Sequence, residues 1–115
     1  MEDSRRSTLE DLFALRRPLA AVRTQLAEHP WDSKQELVTL LPVHVVGVLD
    51  RFAAGEITAA DVEAWAEAIE CREDVALANE VVAQALFRLA NPLINEPITL
   101  ASAARMVAVL KSAAT

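Results

Sequence analysis

The sequence predicts an all-α fold, a compact bundle of five to seven short helices built on helical hairpins. Glycine occurs only twice, which is too few for a turn-rich β fold, whereas the helix formers alanine, leucine, glutamate and arginine are abundant. Apolar residues also recur at helical spacing between residues that start and stop helices. With 115 residues, we expect residues 1–115 to form a single domain with its own core.

The clearest hairpin lies within residues 49–74. A helix that passes through Phe52 is expected to end at Gly55, because glycine adopts the left-handed conformation without a steric penalty. Thr58 then has the residue type and position of an N-cap, and Asp61 falls at the third position of the next helix, near the positive end of its dipole. That second helix should bury one apolar stripe, formed by Val62, Trp65, Ala66 and Ile69.

The same hairpin contains a row of carboxylates. Between Glu56 and Glu80, eight acidic residues accompany one basic residue, Arg72, which gives −7 in a chain whose total charge is −6. A solvated face that keeps the protein in solution is one interpretation, and a docking surface for a basic partner is the other, since clustered charge steers association. The candidate partner-binding residues are Glu63, Glu67, Glu70, Glu73 and Asp74.

The N-terminal half should contain further helices. Residues 1–6 are polar and are expected to fray. Ser7 with Glu10 has the spacing of a capping box, so a helix is expected to start there, and Pro18 should kink or restart it.

A break is expected at residues 29–32, before a second capping box formed by Ser33 and Glu36. The nearly continuous apolar run from Leu37 to Phe52 predicts a central helical region that Pro42 divides into two segments.

The C-terminal third predicts a second pair of helices. A junction at residues 75–79 should precede a helix over residues 80–90, which Asn91 and Pro92 end. Residues 93–97 are expected to form a loop, and Thr99 to cap a final helix. The predicted apolar face of that helix consists of Leu100, Ala103, Met106, Val107 and Leu110.

The sequence contains no recognisable catalytic, cofactor-binding or metal-binding motif, so we expect a protein that is not an enzyme and needs no cofactor. His29 and His44 lack neighbours at metal-ligand spacing, and His44 lies in an apolar segment where a hydrogen-bonded core histidine is expected. Cys71 lies between an acidic and a basic residue, and nearby carboxylates do not favour a thiolate. A single cysteine forms no internal disulfide, which suits a reducing, cytoplasmic location.

Nucleic acids and membranes are not expected partners. The hairpin could be read as a helix-turn-helix, but its second helix has acids where a DNA-reading helix has arginine or lysine, and phosphates would repel it. No apolar run approaches the length of a membrane span, and residues 1–6 lack the apolar core of a signal peptide.

The segment Arg51–Val62 resembles one found in small helical bacterial immunity proteins of the colicin and contact-dependent-inhibition type. Trp65-Ala66, residues 70–74 and residues 89–92 add to the likeness. The resemblance implies an all-helical inhibitor that covers the active site of a toxin, often a basic nuclease, with an acidic face. Sequence therefore favours a non-enzymatic protein-binding domain of this kind, and the alternative is a structural or regulatory helical subunit that self-associates through apolar helix faces.

Overall fold

A computed structural model of the protein describes residues 2–15, 19–26, 38–70, 72 and 75–114, and over these residues the fold is a compact helical bundle with one very small sheet. The predicted all-α class is therefore confirmed, with six helices in the described ranges. In chain order the elements are α1 (Glu2–Ala14), α2 (Leu19–Leu26), β1 (Val38–Leu40), α3 (Pro42–Ala53), α4 (Ala59–Glu70), β2 (Val75–Leu77), α5 (Glu80–Ala90) and α6 (Leu100–Ala114).

Two helix pairs dominate the packing. The most extensive contacts join α3 to α6 and α4 to α5, while α1 packs on α2 and α3. All eight elements contribute buried apolar residues to one core, and the largest fully buried side chain is that of Trp65 in α4. Both predicted hairpins are therefore splayed, since each helix packs more on a helix of the other hairpin than on its own partner.

The sheet corrects one prediction. Residues 38–40 were expected to be helical, but they form β1, which pairs in parallel with β2 in the register Val38↔Val75 and Leu40↔Leu77. The backbone N–H of Ala78 extends the pairing by donating to the Leu40 carbonyl at 3.1 Å. Locally, the β-branched Val38 favours a strand and Pro42 excludes a continuous helix. A strand of three residues nevertheless needs hydrogen-bond partners for its backbone N–H and C=O groups, and the distant strand β2 provides them.

The N-terminal helix also differs from its prediction. Helix α1 begins at Glu2, so the start predicted at Ser7 was wrong, and Ser7 and Glu10 lie within the helix with exposed side chains. Helix α2 begins at Leu19, the residue after Pro18. The predicted break at residues 29–32 and the capping box of residues 33–36 lie outside the described residues.

The C-terminal helices follow the sequence closely. Helix α5 has the predicted bounds, and Asn79 caps it by accepting a hydrogen bond from the Val82 backbone N–H at 2.9 Å. Thr99 caps α6 as predicted: its hydroxyl accepts from the Ser102 N–H at 3.1 Å, and its own N–H donates to the Ser102 hydroxyl at 2.9 Å. Leu100 was predicted to face the core and is exposed instead.

Candidate protein-binding face

The turn between α3 and α4 has the geometry that its sequence predicts. Gly55 has a φ of 81°, and its N–H donates to the Phe52 carbonyl at 3.0 Å. The next N–H, of Glu56, donates to the Arg51 carbonyl at 2.9 Å. These bonds satisfy carbonyls at the end of α3, and they require a residue that tolerates positive φ at position 55.

A complete capping box starts α4. The Thr58 hydroxyl accepts a hydrogen bond from the Asp61 N–H at 3.1 Å, and an Asp61 carboxylate oxygen accepts one from the Thr58 N–H at 2.9 Å. The prediction of Thr58 as N-cap is confirmed. Asp61 does more than was predicted, since its carboxylate is bound to backbone and so belongs to the cap.

Trp65 fixes the rotation of α4 about its axis. The indole is fully buried, and its Nε1–H donates to the carbonyl of Leu12 in α1 at 2.8 Å. Val62, Ala66 and Ile69 are buried on the same stripe, as predicted. Because the indole is both packed in the core and hydrogen-bonded through its N–H, its position determines which side of α4 faces solvent.

That rotation brings three of the candidate glutamates onto one flank of α4. At 3.6 residues per turn, Glu63, Glu67 and Glu70 fall within about 60° of one another and roughly 120° from the centre of the buried stripe. Glu63 is half-buried, whereas Glu67 and Glu70 are exposed. We call these three residues the acidic flank.

The acidic flank is not neutralised by the rest of the described chain. Among the described residues, no lysine or arginine side chain forms an ion pair with any of the three carboxylates. The nearest polar partner is Asn91, whose Nδ2 donates to a Glu70 carboxylate oxygen at 3.4 Å and to the Phe87 carbonyl at 2.9 Å. Since Asn91 directly follows α5, the flank borders the end of that helix.

The other acids between Glu56 and Asp74 fall into two groups. Glu56 pairs with Arg51 at 3.3 Å, and Asp61 is part of the cap, so both carboxylates have structural partners. Glu73, Asp74 and Cys71 lie outside the described residues. Of the five predicted partner-binding residues, the structure thus brings together Glu63, Glu67 and Glu70.

Arg51 is a structural residue that the sequence did not reveal. Its Nη1 donates to the Leu15 carbonyl at 2.8 Å and to the Ala14 carbonyl at 3.3 Å, at the C-terminal end of α1. A guanidinium there interacts favourably with the negative end of the helix dipole. Only a contact 36 residues away in sequence defines this role, so no local pattern could have indicated it.

The described residues contain no group of three or more histidine, cysteine, aspartate or glutamate side chains arranged to hold a metal ion. Among their helices, none combines the length and apolarity required to cross a membrane. The chemistry that the acidic flank offers is the electrostatic attraction of cations.

Comparison of the chain with protein-family models, with curated proteins and with solved structures finds no match in any of the three.

Proposed function

We propose that this protein is a non-enzymatic binding domain that docks a basic protein surface on the acidic flank of α4. The observation behind this proposal is that Glu63, Glu67 and Glu70 share one side of a firmly capped helix with no basic residue of the described chain paired to them. Unpaired like charges repel one another, and a positively charged partner relieves that repulsion while long-range attraction speeds its approach.

The resemblance of residues 51–62 to bacterial immunity proteins suggests the class of partner. A toxin whose active site binds phosphate is basic, and three carboxylates on a rigid helix supply the complementary charge. The proposed role is therefore inhibition of a basic toxin or nuclease domain by covering its active site, in the cytoplasm of the producing cell.

A lysine-rich peptide tests the electrostatic part of the proposal. We expect titration with decalysine at low salt to shift the backbone amide NMR signals of residues 60–70 of α4 more than those of α3 or α6, and added salt to reverse the shifts. Shifts spread evenly over the acidic residues of the whole molecule would contradict the proposal.

Charge reversal provides a matched pair of variants. Glu67→Lys should weaken decalysine binding about tenfold at low ionic strength, whereas Asp50→Lys, an equally large charge change at an exposed site on α3, should have a much smaller effect. Equal effects of the two substitutions would show that only net charge matters.

Co-expression with the protein encoded by the neighbouring gene tests the identity of the partner. If that protein is a toxin, cells should survive with the wild type and with Asp50→Lys but not with Glu67→Lys/Glu70→Lys. Survival with the double variant would exclude the acidic flank as the inhibitory surface.

A further inference from the structure

Within the described part of the chain, the space between α5 and α6 forms an open groove. These helices are consecutive, yet α5 packs chiefly on α4 and α6 chiefly on α3, so the two diverge. The groove has a volume of about 300 Å³. Its apolar lining comes from Val81, Ala85, Met106, Val109 and Leu110. A concave, mostly apolar surface with a few polar groups is the usual form of a small-molecule site.

One end of the groove is polar. The Asn91 carbonyl, directly after α5, accepts a hydrogen bond from Asn95 Nδ2 at 2.9 Å, which holds residue 95 beside the C-terminal end of that helix. Glu96 is the next residue and lines the groove, so it marks the end at which Arg88 also lies. Val81, the first lining residue of α5, is about two turns, or roughly 10 Å, away from Arg88 along the helix.

The polar end has an excess of positive charge. Arg105 of α6 forms an ion pair with Glu96 at 2.7 Å, so these two charges largely cancel. The guanidinium of Arg88 lines the same end, and no described residue forms an ion pair or a hydrogen bond with it. An arginine without a partner binds a carboxylate well, because its planar fork can donate two parallel hydrogen bonds to the two oxygens.

The surrounding sequence is the less acidic part of the chain. Residues 80–115 contain three bases and two acids, a net charge of +1, whereas residues 1–79 contain eight bases and fifteen acids, a net charge of −7. An anion that approaches this protein is therefore repelled less by the two C-terminal helices than by the rest of the molecule.

The volume of the groove limits the size of its ligand. A water-sized group occupies about 30 Å³, so the groove holds roughly ten non-hydrogen atoms. That is too small for a folded partner, but it suits a short apolar chain with one charged group. Burial of such a chain would remove both its own surface and the apolar walls from water.

We propose that the groove between α5 and α6 binds a small amphipathic carboxylate, a single apolar chain with one charged end. The carboxylate contacts Arg88, and the chain lies along the apolar walls between Val81 and Val109. The proposal uses none of the acidic flank and is independent of the function proposed above.

Octanoate tests the site, because it has about ten non-hydrogen atoms and one carboxylate. We expect it to shift the backbone amide NMR signals of residues 81–88 and 102–110 saturably, with a dissociation constant below about 1 mM. Acetate, which lacks the chain, should cause little shift, and 1-octanol, which lacks the charge, should bind about tenfold more weakly than octanoate. Failure of octanoate to saturate, or shifts centred on other helices, would overturn the proposal.

Removal of one positive charge locates the carboxylate. Arg88→Gln should weaken octanoate binding about tenfold and leave 1-octanol binding unchanged. Lys111→Gln is the matched control, since Lys111 is an exposed base of α6 outside the groove lining, and it should bind octanoate like the wild type. Equal effects of the two substitutions on octanoate binding would contradict a contact with Arg88.

A charge on the groove wall locates the apolar chain. Val109 is 55% exposed, so Val109→Asp should retain the helical circular dichroism of the wild type while losing most of the affinity for both octanoate and 1-octanol. Val43→Asp adds the same charge at a 64% exposed position of α3 and should bind both compounds normally. Unchanged binding by Val109→Asp would overturn the placement of the chain in the groove.

The Glu67→Lys variant separates the two proposals. At about 0.15 M salt, where distant charges are screened, it should bind octanoate like the wild type, although it binds decalysine weakly at low salt. Arg88→Gln should behave in the opposite way. Loss of octanoate binding in Glu67→Lys would overturn the location of the site.

Discussion

At the N-terminus of α3, His44 takes the position that glutamate occupies in a capping box. Its Nδ1 accepts a hydrogen bond from the Leu41 N–H at 2.9 Å, and its ring packs against Phe13 with the centroids 4.9 Å apart. The predicted hydrogen bond of His44 is confirmed, but its predicted place in the core is wrong, because the side chain is half-buried. Nδ1 accepts this bond only when it is unprotonated, so protonation at Nδ1 removes the cap.

Protonation of His44 should destabilise the protein. Burial lowers the pKa of His44 below its ordinary value of 6.5, and the negative charge of Glu10 only partly opposes that shift. Below about pH 6.5 the unfolded chain then binds more protons than the folded one. The free energy of unfolding should therefore fall as the pH decreases from about 6.5 towards the lowered pKa, and the histidine contribution should be constant above 6.5.

Urea denaturation at pH 7.5 and pH 5.5 measures this effect. His44→Gln cannot titrate, so the part of the stability difference that His44 causes should disappear in that variant. A pH dependence that is the same in the wild type and in His44→Gln would rule out the histidine as its source.

Among the elements, the α3–α4 hairpin depends on one backbone position. Gly55 has positive φ, while Gly47 lies at an exposed position within α3. Apart from the adjacent residues and, for Gly47, the backbone of its own helix, a Cβ at either residue would meet no atom within 4 Å. Sterically the two sites are equally open, so alanine substitutions there differ mainly in backbone conformation.

The two alanine substitutions should have opposite effects. Gly55→Ala should lower the free energy of unfolding by about 1 kcal/mol, because an L-residue is strained at positive φ. Gly47→Ala should raise it by about 0.5–1 kcal/mol, because alanine loses less conformational entropy in a helix. Chemical denaturation of both variants measures these changes. Destabilisation by Gly47→Ala would contradict the expected gain in helix stability at that position.

On the scale of the whole molecule, hydrogen bonds connect three helices at the C-terminal end of α1. Trp65 of α4 and Arg51 of α3 donate hydrogen bonds to carbonyls between Leu12 and Leu15, so three helices meet there. Leu15 has a φ of 48°, which shows that the chain leaves α1 through a left-handed residue. Such a conformation in leucine is uncommon and persists where surrounding contacts fix it.

Replacing the Trp65 indole should weaken this junction. Trp65→Phe removes the indole N–H that donates to the buried Leu12 carbonyl, which among the described residues keeps only the bond from the Leu15 N–H at 3.2 Å, and it leaves unfilled space. We therefore expect a loss of about 2–3 kcal/mol in the free energy of unfolding. Phe87→Leu is the control, because Phe87 is 46% exposed and its substitution should change stability by less than about 0.5 kcal/mol. Both variants are measured by chemical denaturation. Equal losses in the free energy of unfolding would contradict a central role for Trp65.

Local sequence patterns sufficed to predict the elements whose boundaries depend on neighbouring residues. Gly55, Thr58 and Thr99 act within one turn of the chain, and each occupies its predicted place. The buried stripe of α4 and the bounds of α5 were also predictable, since helical periodicity is a property of consecutive residues.

Other features depend on contacts between distant parts of the chain. Val38–Leu40 is a strand because Val75–Leu77 pairs with it, and Leu100 is exposed although its spacing placed it on the apolar face of α6. The spacing of apolar residues carries no information about a strand 37 residues further along the chain, so it predicted a helix at residues 38–40. The same spacing predicted that Leu100 faces the core.

The sequence by itself determined that this acidic chain folds into a helical bundle and that Glu63, Glu67 and Glu70, three of the eight acids between Glu56 and Glu80, share one side of α4. Only the tertiary structure decided which of them stay unpaired, how Trp65 orients the acidic flank, and that α5 and α6 diverge to leave an apolar groove. The reason is physical: caps and periodicity act over one or two turns, whereas ion pairing and burial depend on which distant elements pack together.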